Sequence, residues 1–189
     1  MADRTTRSGQ ESRADDEPAA VDAAIAAPIR LLLSDVDGVL TGGQLYFDTA
    51  GNEIKQFHVR DGMGIKAWMS AGLEFGIISS RDSSVVARRA AELGIGHLFQ
   101  GVESKLPVVE RLVDELGLVA DQVAYIGDDL PDLAVLEWVG LSVAPADACR
   151  DVRHSVSWLT ECRGGEGAVR ELVERLMQAK SIWEGYVRA

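Results

Sequence analysis

Short apolar runs and amphipathic stretches alternate along most of this chain. Ile29–Ser34 (IRLLLS) is apolar and ends abruptly at charged residues, the pattern of a strand buried on both faces. Glu74–Ser79, Gln122–Gly127 and Gly140–Ala144 repeat that pattern. Between them, Gly62–Ser70, Ser83–Leu93, Leu106–Leu116 and Leu130–Val139 carry helical periodicity. The second of these follows an Asp/Ser capping signal, and the last has Pro131 in its first turn. Parallel neighbours need crossover connections, so strands alternating with helices predict a sheet covered on both faces. The fold class is α/β, a Rossmann-like three-layer sandwich with a mostly parallel sheet. One segment breaks the alternation. Gln44–Phe47 and Glu53–Val59 flank the turn-forming stretch Asp48–Asn52, which predicts a small β-hairpin insert over 44–59. Gly164–Lys180 predicts a glycine-rich turn followed by an amphipathic helix.

The chain has 189 residues, enough for one domain with a sizeable core. Residues 1–26 mix both charge signs and lack apolar periodicity, so they are expected to form a disordered extension with no secretory signal. The folded domain is expected over 27–180, with a tail over 181–189. A formal charge of −11 argues against nucleic acid or an anionic membrane surface as partner. No apolar run is long enough to cross a bilayer. Cys149 and Cys162 form no CxxC pair and are expected to be reduced thiols in a cytoplasmic protein.

In an open parallel sheet, ligands gather at the carboxyl ends of the strands. The first strand ends in Asp35-Val36-Asp37, the second in Ser79-Ser80-Arg81 and the fourth in Gly127-Asp128-Asp129, while Lys105 opens the third helix. Carboxylates crowded this way repel unless a cation joins them, and a hard oxygen set suits Mg²⁺ better than zinc. Asp35 is then the candidate nucleophile and Asp37, two residues on and facing the same side, the candidate acid and base. Ser79 and Lys105 are candidates to hold phosphoryl oxygens. Other roles remain open for several of these. Asp129 and Asp132 suit helix capping, Ser79 suits a strand end, Arg81 and Arg89 suit a solvated surface, and His58 suits packing. A receiver-like phosphoacceptor domain also clusters acids and a lysine at such an edge, but has no need of Asp37.

DVDGVLT at Asp35–Thr41, a hydroxyl residue at Ser79, Lys105 and GDDLPD at Gly127–Asp132 together resemble the haloacid dehalogenase-like hydrolase superfamily. VRDGMGIK at Val59–Lys66, IISSR at Ile77–Arg81 and GGEGAVREL at Gly164–Leu172 narrow the likeness to the 3-deoxy-D-manno-octulosonate (Kdo) 8-phosphate phosphatases. That resemblance implies a phosphomonoester hydrolase of lipopolysaccharide synthesis, without a large cap domain. It implies Mg²⁺ held by the side chains of Asp35 and Asp128 and the backbone carbonyl of Asp37, and an aspartyl phosphate on Asp35. Contacts to a small phosphorylated sugar acid are implied for Asp37, His58, Val59, Arg60, Asp61, Gly62, Lys66, Arg81, Arg89 and Lys105. A homotetramer is implied too, its sites closed by the hairpin and a neighbour's C-terminal tail. The chain has Ser79-Ser80-Arg81 where the family commonly has Thr-Gly-Arg, and His58 in place of Asn. These departures leave a nine-carbon, sialic-acid-type sugar phosphate open as the alternative substrate.

Overall fold

The computed structural model describes residues 22–188. Six strands form one sheet: β1 (Leu31–Ser34), β4 (Glu74–Ile78), β5 (His97–Phe99), β6 (Val123–Ile126), β7 (Leu141–Ala144) and β8 (Trp158–Leu159). Their order is β5-β4-β1-β6-β7-β8 and every pairing is parallel. A separate antiparallel pair, β2 (Tyr46–Phe47) with β3 (Glu53–Ile54), forms the hairpin. The helices are α1 (Val59–Ser70), α2 (Ser84–Leu93), α3 (Lys105–Glu115), α4 (Leu133–Trp138), α5 (Arg150–Ser155), α6 (Ala168–Ala179) and α7 (Trp183–Val187).

The central strands are mostly apolar and almost wholly buried because each of their faces meets a layer of helices. Leu32, Ile77, Ala124, Ile126 and Val143 point to the layer built from α1, α2 and α6. Their chain neighbours Leu31, Leu33, Ile78, Val123 and Tyr125 point to the layer of α3, α4 and α5. Period-two alternation thus splits one run of apolar residues between two cores. Trp68 anchors the first core. It is fully buried, and its indole N–H donates to the Glu74 carbonyl at 2.8 Å, so its one polar atom is satisfied.

Several elements differ from what their residues predict in isolation. β5, β8 and α5 carry no clear local pattern and form where neighbours already stand, β5 and β8 as short edge strands. The second hairpin arm is paired only over Glu53–Ile54, because Phe57 turns inward against the core. Helix α1 therefore begins at Val59, with extended His58 before it. The predicted Leu130–Val139 helix is a 3₁₀ turn, Leu130–Asp132, followed by α4. Most of the expected N-terminal extension lies outside the described residues. Its last part does not: 22–26 is helical, Ala26 is buried, and Asp22 accepts two hydrogen bonds of 2.7 Å from Arg175. The ordered fold thus begins before residue 27. Part of the expected tail is helix α7, docked on its own chain with Trp183 under Arg170, 4.8 Å from guanidinium carbon to ring centre. None of the described residues is in a helix long and apolar enough to cross a membrane.

Replacing Trp68 by Ala removes the largest fully buried side chain of the first core. Equilibrium urea unfolding is expected to show a loss of about 3–5 kcal/mol.

Candidate active site

Register decides which side chains meet. Ser34 pairs with both Ile77 and Ile126, so the residues just beyond each strand emerge at one edge. Asp35 continues β1 by donating its N–H to Ile126 O at 3.0 Å. The chain then doubles back: Val36 O accepts the N–H groups of Val39, Leu40 and Thr41. Gly38 lies in this turn at φ +99°, and a Cβ there would come within 2.0 Å of Asp128 Oδ2. Only a glycine lets the two loops close on each other. On the other side, the turn at Gly164 presses the 38–42 loop, where a Cβ would fall 1.8 Å from Gly38 O. The glycine-rich turn therefore serves its own chain, and Gly165 N–H donates to Val39 O at 2.9 Å.

At the centre stands Lys105. Its ammonium is buried and donates to Asp35 Oδ1 and to Asp132 Oδ1, both at 2.7 Å, and to the Tyr125 hydroxyl at 3.3 Å. Tyr125 in turn donates its O–H to Asp132. The second oxygen of Asp132 accepts the N–H groups of Asp128 at 3.0 Å and Asp129 at 3.2 Å. Oxygen atoms of Asp35, Asp128 and Asp132 lie within 4.8 Å of one another. Asp132 is nevertheless fully committed to protein partners, so its work is to hold Lys105 and the Asp128 loop.

Asp128 is the opposite case. Its Oδ1 is buried and has no hydrogen-bond partner among the described residues. Burial, and then the negative charges of Asp35 and Asp132, push its carboxyl up to about 8. Burial also pushes Asp35 up to about 6, although Lys105 opposes the shift. A buried carboxylate oxygen with nothing to bind, beside a second carboxylate, fits a hard divalent cation.

These groups line a cavity of about 350 Å³, together with Asp37, Ser79, Arg81 and Pro131. Ser79 is buried at its floor and accepts the Arg81 N–H at 3.2 Å. Arg81 lies 3.5 Å from Asp37 Oδ2 and 2.9 Å from Glu53. Asp35, Asp37, Ser79, Arg81, Lys105 and Asp128 are thus brought together. The other implied sugar contacts are not in this cavity. His58, Asp61, Gly62 and Arg89 line a separate narrow crevice, with Asp61 buried and accepting Arg170 N–H at 2.8 Å. Val59, Arg60 and Lys66 are exposed on α1. The hairpin adds two residues that the sequence did not single out: Glu53, and Lys55, whose ammonium meets Asp37. Along the chain they are two polar residues of a mixed hairpin arm, Glu53-Ile54-Lys55-Gln56-Phe57, and carry no local signal of a role.

Acids crowded until they call for a cation, around an ammonium that stays charged, are the equipment of a phosphomonoester hydrolase. Residues 98–172 match the family model of the haloacid dehalogenase-like hydrolases. The Kdo 8-phosphate phosphatase KdsC of Escherichia coli K12 is 45% identical over 155 residues, 82% of each chain. KdsC of Haemophilus influenzae is 44% identical over 80% of this chain and 84% of its own. Among solved structures, the Moraxella catarrhalis Kdo 8-phosphate phosphatase, in complex with magnesium, phosphate and Kdo, superposes with a TM-score of 0.87. It is 38% identical and covers 89% of this chain and 97% of its own. The Yersinia pestis phosphatase gives 0.85 at 43% identity, over 86% and 88%. The chain belongs to the haloacid dehalogenase-like hydrolases, in the branch of the Kdo 8-phosphate phosphatases.

The raised carboxyls set a pH dependence. Asp35, Asp61 and Asp128 hold protons in the folded chain at pH values where the unfolded chain has released them. The unfolded state then binds fewer protons, so stability falls as pH rises from about 5 to 8. With a chelator present, the thermal midpoint is expected to be higher at pH 5 than at pH 8. A midpoint that climbed over that range would contradict the assignment.

Proposed function

We propose that this chain hydrolyses the phosphate monoester of a sugar acid, Kdo 8-phosphate, through an aspartyl phosphate on Asp35. The observation that carries it is the pairing of a pinned Asp35 with an Asp128 oxygen that has no partner among the described residues, both lining one cavity with Lys105. Relatives that share this chain's length and fold are named for that substrate.

In this reading Asp35 attacks phosphorus, the phosphorus–sugar oxygen bond breaks, and a bond from Asp35 to phosphorus forms. Asp37 gives a proton to the departing sugar oxygen, then takes one from the water that releases phosphate and restores Asp35. Lys105, fixed by Asp132, meets charge on the transferred group. The Ser79 hydroxyl and the Arg81 guanidinium orient its oxygens. Asp35, Asp128 and the Asp37 carbonyl would hold Mg²⁺, which neutralises the charge that nucleophile and phosphate share. Because Lys105 already faces two carboxylates, its positive charge is secure: burial opposes it, but Asp35 and Asp132 raise its affinity for the proton.

The contacts implied for His58–Gly62, Lys66 and Arg89 lie outside the catalytic cavity of one chain, and assembly offers a route to bring such residues to a site. Leu45, Tyr46, Phe47 and Ile54 expose between 49% and 59% of their surface on the hairpin. Apolar clusters of this kind favour association. The proposed assembly is a homotetramer that covers them.

Purified protein is expected to release phosphate from Kdo 8-phosphate only with Mg²⁺, and Asp35→Asn to release none above background. No release by the wild type, or a higher kcat/KM on a nine-carbon sugar-acid 9-phosphate, would overturn the substrate. Light scattering is expected to give four times the mass of one chain, falling when Tyr46 and Phe47 are both changed to Ser.

A further inference from the structure

Proton transfer by Asp37 needs a fixed direction as well as a carboxyl group. Its two oxygens are treated differently. Oδ1 accepts a close hydrogen bond from the Lys55 ammonium, with the Thr41 hydroxyl 3.4 Å away. Oδ2 is buried and accepts no hydrogen bond among the described residues, with the Arg81 guanidinium 3.5 Å away. One oxygen is pinned and the other is left for the reaction.

Lys55 is held in turn. Its side chain is 1% exposed, and an ammonium so far from water is costly unless carboxylates face it. Asp37 is one, and Glu53 at 3.3 Å is the other. Glu53 is tied down through Arg81 at 2.9 Å and through the Ser83 hydroxyl, both in the loop after β4. Extended residues two apart face the same side, so the arm that Glu53 fastens delivers Lys55 to Asp37.

We propose that Lys55 is a positioning residue of the phosphatase reaction, holding Asp37 Oδ1 so that Oδ2 meets the leaving oxygen. The inference rests on the acid and base role proposed above for Asp37. As the phosphorus–oxygen bond breaks, the proton on Oδ2 passes to the departing oxygen. The carboxylate left behind lies against the Lys55 ammonium, which keeps its own protons throughout. In the second half Oδ2 takes a proton from the attacking water, and Asp37 returns to its starting form. The hairpin thereby takes part in the chemistry as well as covering it.

Leaving groups separate this role from a structural one. p-Nitrophenolate departs without a proton, whereas phenolate benefits from one. Alcohol release in the first turnover would be followed by rapid quench, with Mg²⁺, for phenyl phosphate and p-nitrophenyl phosphate. Lys55→Met is expected to slow phenol release about tenfold or more and nitrophenol release by less than about threefold, with Lys55→Arg recovering most of the loss. Should Lys55→Met not fold, Lys55→Gln takes its place. Equal slowing of both substrates, or no slowing, overturns the role of Lys55. Asp37→Asn identifies the level of failure. If it too slows both substrates alike, the proton-donor reading of Asp37 falls and Lys55 with it; if it discriminates and Lys55→Met does not, only Lys55 falls.

Discussion

The site depends on one buried ammonium. Lys105 opens helix α3, a place where a positive charge meets the positive end of the helix dipole and is unwelcome. It is also out of water, which adds a large desolvation cost. Two carboxylates at 2.7 Å offset both penalties, and they come from different segments: Asp35 from the end of β1 and Asp132 from the turn after β6. Removing either would leave the buried ammonium with one charged partner in place of two. The arrangement therefore fixes the spacing of three elements at once. It also leaves Asp35 oriented, with Oδ1 occupied by the ammonium.

Asp132 and Asp128 sit four residues apart and divide the labour of that turn. Asp132 spends both oxygens on Lys105, Tyr125 and two backbone N–H groups. Asp128 keeps a buried oxygen with no partner among the described residues. A satisfied carboxylate beside an unsatisfied one is what a cation site requires, because the first holds the second in place without competing for the ion. Close packing enforces the same geometry from outside. Gly38 passes against Asp128, and Gly164 passes against Gly38, so three loops lie in contact where any side chain would force them apart.

Much of this was legible along the chain. The four central strands and the helices between them follow from apolar runs and helical spacing, because burial on both faces leaves a continuous apolar signature. Asp35, Asp37, Ser79, Lys105 and Asp128 stood out because each ends a strand or opens a helix at the same edge. What did not stand out has short or ambiguous local signals. β5 and β8 have three and two residues and owe their form to a neighbouring strand. Lys55 looks like any solvated lysine on a hairpin until Asp37 and Glu53 are seen to enclose it. His58, Asp61 and Arg89 were implied as sugar contacts by the family resemblance and yet line a different crevice.

By itself the sequence determined the order of strands and helices, the acidic and hydroxyl residues at their ends, and the family, since these rest on patterns of neighbours along one chain. Only the tertiary structure decided which carboxylate is satisfied and which is left wanting a cation. It also decided that the hairpin reaches Asp37 and that the glycine-rich turn closes on its own loop. Those outcomes depend on distances between segments far apart in sequence. Desolvation and hydrogen bonding act across such distances only once the sheet register has brought the segments together.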